Sequence, residues 1–195
     1  MVLVVGFEGL PGCGKTTAIK LLMGALRAMS MRVVAVDIDT SPHASALRAV
    51  ADALPLDSLV RSMLFWAMRI RQYEIIYEVG DVMDVILADR TWGTALVYDG
   101  HGNTVSRTIL ERIGQDLRRP DITFYLEAPL EVVRARKKSR TMENLPFAVR
   151  VAKGYRKMAC ARGWIRVDAT RTPEEIKECC LEIILAALAS SARQP

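Results

Sequence analysis

The feature that most constrains this chain is a glycine-rich segment near its start. Residues Gly9 to Thr16 read Gly-Leu-Pro-Gly-Cys-Gly-Lys-Thr, so two glycines separated by four residues are followed by Lys and Thr. Glycine lets such a loop wrap closely around phosphate oxygens with its backbone N–H groups pointing inward, and the next helix adds positive potential at its N-terminus. The pattern is that of a P-loop, and it predicts binding of a nucleoside triphosphate.

The residues of this loop have separate expected roles. We expect the side chain of Lys15 to supply positive charge and the hydroxyl of Thr16 to hold Mg²⁺. The residues predicted to bind the triphosphate cofactor are Gly9, Leu10, Pro11, Gly12, Cys13, Gly14, Lys15, Thr16 and Thr17.

The segments on both sides of the loop have the order that a P-loop requires. Met1 to Phe7 is an apolar, β-branched run that predicts a buried strand, and Thr17 to Met29 shows the apolar spacing of a helix. An ordinary glycine turn is the alternative interpretation, and the order of strand, loop and helix makes it the weaker one.

Length and composition indicate a single domain covering residues 1–195. The net charge is +5, from 27 Lys and Arg against 22 Asp and Glu, which favours a polyanionic ligand but is too small to indicate nucleic acid. The four cysteines show no paired spacing, so the sequence predicts neither a disulfide framework nor a zinc site and fits a reducing cytoplasm. We expect no signal peptide, because no basic region precedes the first apolar run and this run leads straight into the P-loop. We expect no membrane partner, because no apolar run is long enough to span a bilayer.

Strands alternate with helices along the whole chain. The predicted strands are Met1–Phe7, Arg32–Val36, Val82–Leu87, Ile122–Leu126 and Trp164–Val167. The predicted later helices are one opening at Ser41-Pro42, then Ser58–Val79, Asn103–Leu117, Pro129–Lys138, Leu145–Ala161, and a final helix that follows a capping box at 172–175. This alternation predicts an α/β fold of the P-loop NTPase type, a three-layer sandwich with a five-stranded, mostly parallel sheet flanked by helices. Ligands then gather at the carboxyl ends of the strands.

Two adjacent charged residues follow the third predicted strand. Asp89 could orient a magnesium-bound water or accept a hydroxyl proton, and Arg90 offers a fork of donors suited to a second phosphate. A helix-capping Asp beside a surface Arg is the alternative. Their position at the end of a strand next to the P-loop favours the functional interpretation, with Asp89 joining Thr16 in the magnesium site.

The long helix carries Phe65 and Arg69 on one face, because residues four apart are neighbours on a helix surface. A ring at that place can stack on a nucleotide base, and a guanidinium can bond the base carbonyl. An aromatic residue on an amphipathic helix is more often part of the core, so this pair alone favours a structural role.

A basic cluster lies at the end of the fifth predicted helix, Pro129–Lys138. Its members are Arg134, Arg136, Lys137, Lys138 and Arg140. Solvated cations at the C-terminal end of a helix are the ordinary explanation, because the helix dipole favours them there. In a phosphoryl transferase, however, a mobile arginine that closes over the transferred group can accelerate the reaction by about 10³-fold or more. The two interpretations have equal support from the cluster itself.

Several motifs together resemble thymidylate kinases in order and spacing across nearly the whole chain. They are Phe7-Glu8-Gly9 leading into Gly14 to Thr17, Leu64-Phe65 with Arg69, Asp89-Arg90, the run Pro120 to Leu126, the run Phe147 to Tyr155, and Val167-Asp168-Ala169 with the capping box 172–175. The resemblance implies a kinase that moves the γ-phosphoryl group of ATP to deoxythymidine monophosphate, dTMP, with Mg²⁺.

The resemblance also implies roles for individual residues. Phe65 would stack on thymine, Arg69 would bond the base, Arg90 would hold the acceptor phosphate and Tyr98 would line the sugar side. Family members without a basic residue in the P-loop carry their catalytic arginines in a lid, here residues 136–146. Arg136 and Arg140 are therefore expected to be catalytic together with Lys15 and Arg90, and the family's long helices imply a homodimer.

The sequence departs from the family at two places on the acceptor side. Pro11 stands where these kinases usually carry an acidic residue, and the segment Asp37 to Thr40 stands where they usually read Arg-Glu-Pro-Gly. Asp37 or Asp39 could hold magnesium instead, and Arg48 or Arg69 could reach the phosphate. The lid is also short and lacks a glycine hinge.

These departures leave other functions open. One alternative is a kinase for another nucleoside monophosphate or for a deoxynucleoside. Another is an ATP-binding regulatory protein with weak transferase activity. Nucleic acid is not an expected partner, because the basic cluster has no platform of aromatic residues to stack bases.

Overall fold

Five strands form one sheet in which every neighbouring pair is parallel. The structure, a computed structural model, describes residues 2–100 and 105–191. The strands are β1 (Leu3–Glu8), β2 (Val33–Val36), β3 (Val85–Asp89), β4 (Ile122–Glu127) and β5 (Ile165–Asp168), and they lie in the order β2-β3-β1-β4-β5. Helices connect the strands, so the predicted α/β fold is confirmed, and the sheet is parallel throughout.

The helices have clear bounds in the described part of the chain. They are α1 (Lys15–Ala28), α2 (Ala44–Ala53), α3 (Leu59–Gly80), α4 (Trp92–Ala95), α5 (Arg107–Ile113), α6 (Leu130–Arg136), α7 (Arg140–Glu143), α8 (Leu145–Arg162) and α9 (Pro173–Ser191). Helix α1 packs against α9, and α3 packs against α2. A π-helical turn, Leu96–Gly100, follows α4 directly and packs against α5 and α8.

The core lies where the central strand meets the helices. All six residues of β1 are buried, because helices cover a parallel sheet on both faces. Phe7 of β1 packs against Phe124 of β4, with ring centroids 5.5 Å apart. This packing fixes the end of β1, from which the glycine-rich loop leaves the sheet.

The second helix begins later than the sequence suggests. Ser41 and Pro42 form a turn in which the carbonyl of Ser41 accepts from the N–H of Ala44 at 3.0 Å, and α2 starts at Ala44. The prediction that Ser41-Pro42 opens the helix is therefore wrong by two residues, since His43 takes the N-cap position. The Ser41 hydroxyl accepts from the N–H of His43, which lies one residue before the helix. The hydroxyl therefore bonds within the turn and does not cap α2.

The middle of the chain also differs from the periodicity prediction. Of the predicted helix Asn103–Leu117, residues 103 and 104 lie outside the described residues, and the helix itself spans Arg107–Ile113. It ends at Gly114, which takes the C-cap position. The short helices α4 and α7 and the π-helical turn were not predicted, because segments of four or five residues carry too little periodicity to detect.

The capping box before the final helix is present. The Thr172 hydroxyl accepts from the N–H of Glu175 at 3.3 Å, and the Glu175 carboxylate accepts from the Thr172 N–H at 2.9 Å. This reciprocal pair satisfies backbone donors at the start of α9 and confirms the predicted helix start.

None of the helices in residues 2–100 and 105–191 combines the length and apolar character needed to cross a membrane.

Candidate active site

A cavity of about 830 Å³ opens at the carboxyl ends of β1, β2 and β3. The P-loop forms one wall, and α3 together with the segment after β3 forms another. The predicted site residues that line it are Pro11, Gly12, Cys13, Gly14, Lys15, Thr16, Thr17, Phe65, Arg69, Asp89, Arg90, Tyr98 and Arg136. Topology thus brings together residues that are far apart in sequence.

The glycines of the P-loop are required by its backbone. Gly12 has φ of 87°, and a Cβ there would lie 2.7 Å from the carbonyl oxygen of Val133. Gly14 has φ of 95° and occupies the N-cap of α1. Residues that carry a side chain rarely adopt such positive φ values, so the loop keeps its shape only with glycine at these two positions. Gly9 and Leu10, also predicted to bind cofactor, are buried and do not line the cavity.

Lys15 is folded back onto its own loop. Its side chain is buried, and Nζ donates to the carbonyls of Gly9 at 3.1 Å and Leu10 at 3.0 Å and to Sγ of Cys13 at 3.4 Å. Burial lowers the pKa of Lys15 below its ordinary value, and the nearby Arg90 guanidinium lowers it further. The ammonium is thus held by neutral acceptors, which the oxygens of a triphosphate can replace.

Thr16 and Asp89 join the P-loop to the end of β3. The Thr16 hydroxyl donates to Oδ2 of Asp89 at 2.8 Å. Magnesium takes oxygen ligands from one or two protein groups and completes its shell with water and substrate phosphates, so this pair fits such a site. The described residues contain no group of three or more His, Cys, Asp or Glu side chains that could hold a metal alone.

Arg90 combines an unusual backbone with a side chain directed into the cavity. Its φ is 66°, in the left-handed region, and its N–H donates to the carbonyl of Phe7 at 2.9 Å. Its carbonyl accepts from Arg69 at 3.0 Å and from Gln72 at 3.1 Å. Several contacts therefore fix a strained conformation, which is a common property of functional sites.

A buried carboxylate supports the segment after β3. Glu8, at the end of β1, is 0% exposed and accepts from the N–H and hydroxyl groups of Thr91 at 2.9 and 2.6 Å and of Thr94 at 3.1 and 2.5 Å. The Tyr155 hydroxyl lies 2.9 Å from the Thr94 hydroxyl and accepts from Nη1 of Arg90 at 2.9 Å. This chain of hydrogen bonds connects a buried anion to the Arg90 guanidinium.

Arg69 is buried and ties α3 to the sheet. It is 3% exposed, and its Nη1 donates to the side-chain oxygen of Gln72 as well as to Arg90. Gln72 in turn donates to the carbonyl of Val36 at the end of β2. In the described part of the chain, Nε and Nη2 of Arg69 have no protein acceptor, so they can still bond a ligand in the cavity.

Two arginines lie over the ring of Phe65. The guanidinium carbon of Arg61 is 4.6 Å and that of Arg48 is 5.6 Å from the ring centroid. These cation–π contacts fix the ring at the cavity wall. Phe65 is therefore not simply a core residue, although it also packs against a small apolar cluster with Ile38 and Met68.

Asp99 is a further carboxylate on the same wall. It accepts from the Ser62 hydroxyl at 2.7 Å and from Nε1 of Trp66 at 2.9 Å, both on α3. Burial raises the pKa of Asp99 above its ordinary value. Beside it, Tyr98 packs its ring against Phe147, with centroids 6.0 Å apart.

The two lid arginines lie at different places. Arg136 lines the cavity, and its Nη1 donates to the carbonyl of Ala169 after β5 at 2.6 Å. Arg140 does not line the cavity, because its guanidinium donates to the carbonyls of Asp52 at 2.6 Å and Leu54 at 2.8 Å, at the C-terminal end of α2.

Sequence reasoning missed several residues of this site. Glu8, Asp99, Arg61 and Arg171 were not singled out as site residues, and the last three line the cavity. The sequence contains a signal for Glu8, which is a charged residue at the end of an otherwise apolar strand. A carboxylate buried at such a place needs several hydrogen-bond donors around it. The other three lie on helices and loops with no local pattern that marks them.

Comparison with known proteins agrees with this geometry. The family model described as "Thymidylate kinase" matches residues 7–179. Proteins named "Thymidylate kinase" from Synechococcus sp. (strain CC9311) and from Acinetobacter baylyi are each 30% identical to this chain. The first alignment covers 95% of this chain and 97% of the relative, and the second covers 93% and 98%. A P-loop, a cavity at the carboxyl ends of parallel strands and this match over most of the chain agree: the chain belongs to the thymidylate kinase family.

Proposed function

We propose that this protein transfers the γ-phosphoryl group of ATP to dTMP and forms dTDP and ADP. The observation that carries the proposal is that Lys15 and Thr16 of the P-loop and Arg90 after β3 line one cavity. A phosphoryl transferase requires a cradle for the donor and a cation for the acceptor on either side of the transferred group. Family membership adds the identity of the acceptor.

The P-loop wall is the donor side. Its backbone N–H groups and the N-terminus of α1 would hold the phosphates. Nζ of Lys15 would exchange its bonds to the loop carbonyls for a bond to the transferred phosphoryl group. Thr16 and Asp89 would hold Mg²⁺, which when bound neutralises phosphate charge. Arg136 is the lid arginine best situated to contact that group, because it already lines the cavity.

The α3 wall is the acceptor side. The ring of Phe65 would stack on thymine, and the free donors of Arg69 would bond a base carbonyl. Arg90 would hold the acceptor phosphate, and Tyr98 would line the sugar. An oxygen of that phosphate attacks the γ-phosphorus while the bond from the γ-phosphorus to the β-bridging oxygen breaks, so ADP leaves. Positioning and electrostatic stabilisation suffice, and no covalent intermediate is needed.

Two further observations support a homodimer and a cytoplasmic location. The exposed apolar residues of α3 support a homodimer formed through this helix; they are Leu59, Val60, Met63, Ile70 and Tyr77. The four cysteines are free, which supports a reducing cytoplasm.

The test is ADP formation from Mg-ATP with the purified protein and a panel of acceptors. The panel contains nucleoside monophosphates, deoxynucleosides and a control without acceptor. We expect a strong preference for dTMP. Preference for another acceptor would reject the substrate, and ATP binding without acceptor-dependent ADP formation would reject the kinase activity.

A further inference from the structure

The segment that follows β2 holds an arginine at the cavity wall by two hydrogen bonds. Nε of Arg48 donates to Oδ1 of Asp39 at 2.6 Å, and Nη2 donates to Oδ2 at 2.6 Å. Both residues line the cavity. A two-point contact fixes the plane of the guanidinium as well as its distance, so Arg48 is oriented before any ligand binds.

The Arg48 guanidinium keeps donors for a ligand. Nη1 carries two N–H groups, and in the described part of the chain no protein acceptor bonds them. The side chain is 36% exposed, so solvent or a ligand reaches this edge. Its contact with the Phe65 ring places it on the wall that we assign to the acceptor.

Three other arginines that line the cavity each contact a protein group. Arg69 is buried against Gln72 and the carbonyl of Arg90. Arg136 is tied to the carbonyl after β5. Arg61 lies against Phe65 and 3.6 Å from the Asp52 carboxylate. Arg48 differs from them because a carboxylate of the segment after β2 orients it at two points and leaves one edge of its guanidinium for an anion.

The Asp39–Arg48 pair also sets the charge of the cavity wall at the end of β2. A phosphate monoester carries nearly two negative charges at neutral pH. Asp39 alone would repel such a group, and the arginine bound to it cancels that charge. The wall at the end of β2 therefore does not repel a phosphate, the free N–H groups of Arg48 can donate to it, and Arg90 on the β3 side supplies positive charge.

We propose that Arg48, oriented by Asp39, is a second ligand of the acceptor phosphate and selects nucleoside monophosphates over nucleosides. This inference rests on the proposed function, since it assigns the α3 side of the cavity to the acceptor. It also explains how this chain holds the phosphate although Asp37 to Thr40 contains no arginine.

The test compares binding of dTMP and thymidine, which differ only in the phosphate. Calorimetry gives the dissociation constant of each ligand. The dissociation constant of thymidine divided by that of dTMP measures the phosphate contribution. Arg48→Gln is expected to lower this ratio by about 10- to 100-fold, because it removes charge-assisted hydrogen bonds to the phosphate. Arg32→Gln is the matched control, since Arg32 makes a similar paired contact with Asp84 and does not line the cavity.

A second variant separates charge from geometry. Arg48→Lys keeps the charge but cannot contact Asp39 at two points, so its ratio should lie between those of the wild type and Arg48→Gln. An unchanged ratio in Arg48→Gln overturns the inference, and so does an equal loss of affinity for both ligands, which would mean a contact with the nucleoside. If the wild-type protein does not phosphorylate dTMP at all, the proposed function itself fails.

Discussion

The hydroxyl of Tyr155 accepts a 2.9 Å hydrogen bond from Nη1 of Arg90. Tyr155 lies on α8 and is 0% exposed, and its hydroxyl is also 2.9 Å from that of Thr94. Because the Thr94 hydroxyl donates to Glu8, the Tyr155 hydroxyl donates to Thr94 and presents its lone pair to Arg90. The position of Arg90 therefore depends on a residue that lies 65 positions later in the chain.

Removing this hydroxyl should weaken acceptor binding more than it weakens catalysis. In Tyr155→Phe, Arg90 keeps its charge but loses one fixed acceptor, so we expect KM for dTMP to rise about 5- to 10-fold, the effect of one hydrogen bond. The kcat should change by less. Tyr77→Phe is a matched control, because its hydroxyl also accepts a hydrogen bond, from the N–H of Arg118, on an exposed surface. An unchanged KM in Tyr155→Phe would show that Arg90 needs no positioning.

Glu8 should stabilise the fold more than an exposed carboxylate does. Glu8→Gln replaces one acceptor oxygen by an NH₂ group that faces donors from Thr91 and Thr94, and we expect a loss of about 2 to 4 kcal/mol in the free energy of unfolding. Urea unfolding measures this loss. The control is Glu78→Gln, whose side chain pairs with Arg71 on the surface, and it should cost less than about 1 kcal/mol. Equal effects in the two variants would contradict a stabilising role for Glu8.

Much of this architecture follows from local sequence signals. The apolar run before Gly9, the glycine spacing and the helical pattern after it predict β1, the loop and α1, because these signals are contained within about 30 residues. The end of β3 predicts that Asp89 and Arg90 lie near the P-loop, since parallel strands bring their carboxyl ends to one edge. The structure has both residues on the cavity wall, and their roles stay predictions.

Other relationships could not be read from the sequence. Arg140 contacts carbonyls of α2, and nothing in a run of basic residues indicates a partner almost 90 positions away. The Asp39–Arg48 pair joins a residue after β2 to the middle of α2, and no local pattern marks the two residues as partners. Such contacts arise from tertiary packing, whereas propensities and periodicity report only on neighbours in the chain.

The two lid arginines should respond differently to truncation. Arg136→Ala removes a cation from the cavity wall, and we expect kcat to fall by about 10²-fold or more. Arg140→Ala removes two hydrogen bonds at the end of α2, so it should lower the free energy of unfolding by about 1 to 2 kcal/mol and leave kcat within about threefold. Steady-state kinetics and urea unfolding of both variants test this. A large loss of kcat in Arg140→Ala would mean that its guanidinium moves to the phosphates during turnover.

Lys15→Met should abolish most activity and leave the fold intact. The loss of the cation that we propose contacts the transferred group is expected to lower kcat by about 10³-fold. Met fills a similar volume and removes a buried charge, but it leaves the carbonyls of Gly9 and Leu10 without this donor, so the free energy of unfolding should change by less than about 3 kcal/mol. Kinetics and thermal unfolding measure the two effects. Undiminished turnover would refute the proposed mechanism.

The buried Lys15 should also make stability depend on pH in the alkaline range. Burial and the Arg90 charge lower its pKa below the ordinary 10.5. As pH rises, the folded protein therefore loses this proton before the unfolded chain does. Between the lowered pKa and 10.5 the unfolded state binds more protons, so the contribution of Lys15 to the free energy of unfolding increases with pH.

The measurement is urea unfolding of the wild type and Lys15→Met from pH 7.5 to 10.5, without nucleotide. Titrating groups away from this loop are common to both proteins, so the difference between them reports Lys15 together with the Cys13 thiol that it contacts. The wild type should gain stability relative to the variant as pH rises, and its affinity for ATP should fall over the same range because the ammonium is lost. A difference that stays constant to pH 10.5 would mean that Lys15 keeps an ordinary pKa in the folded protein.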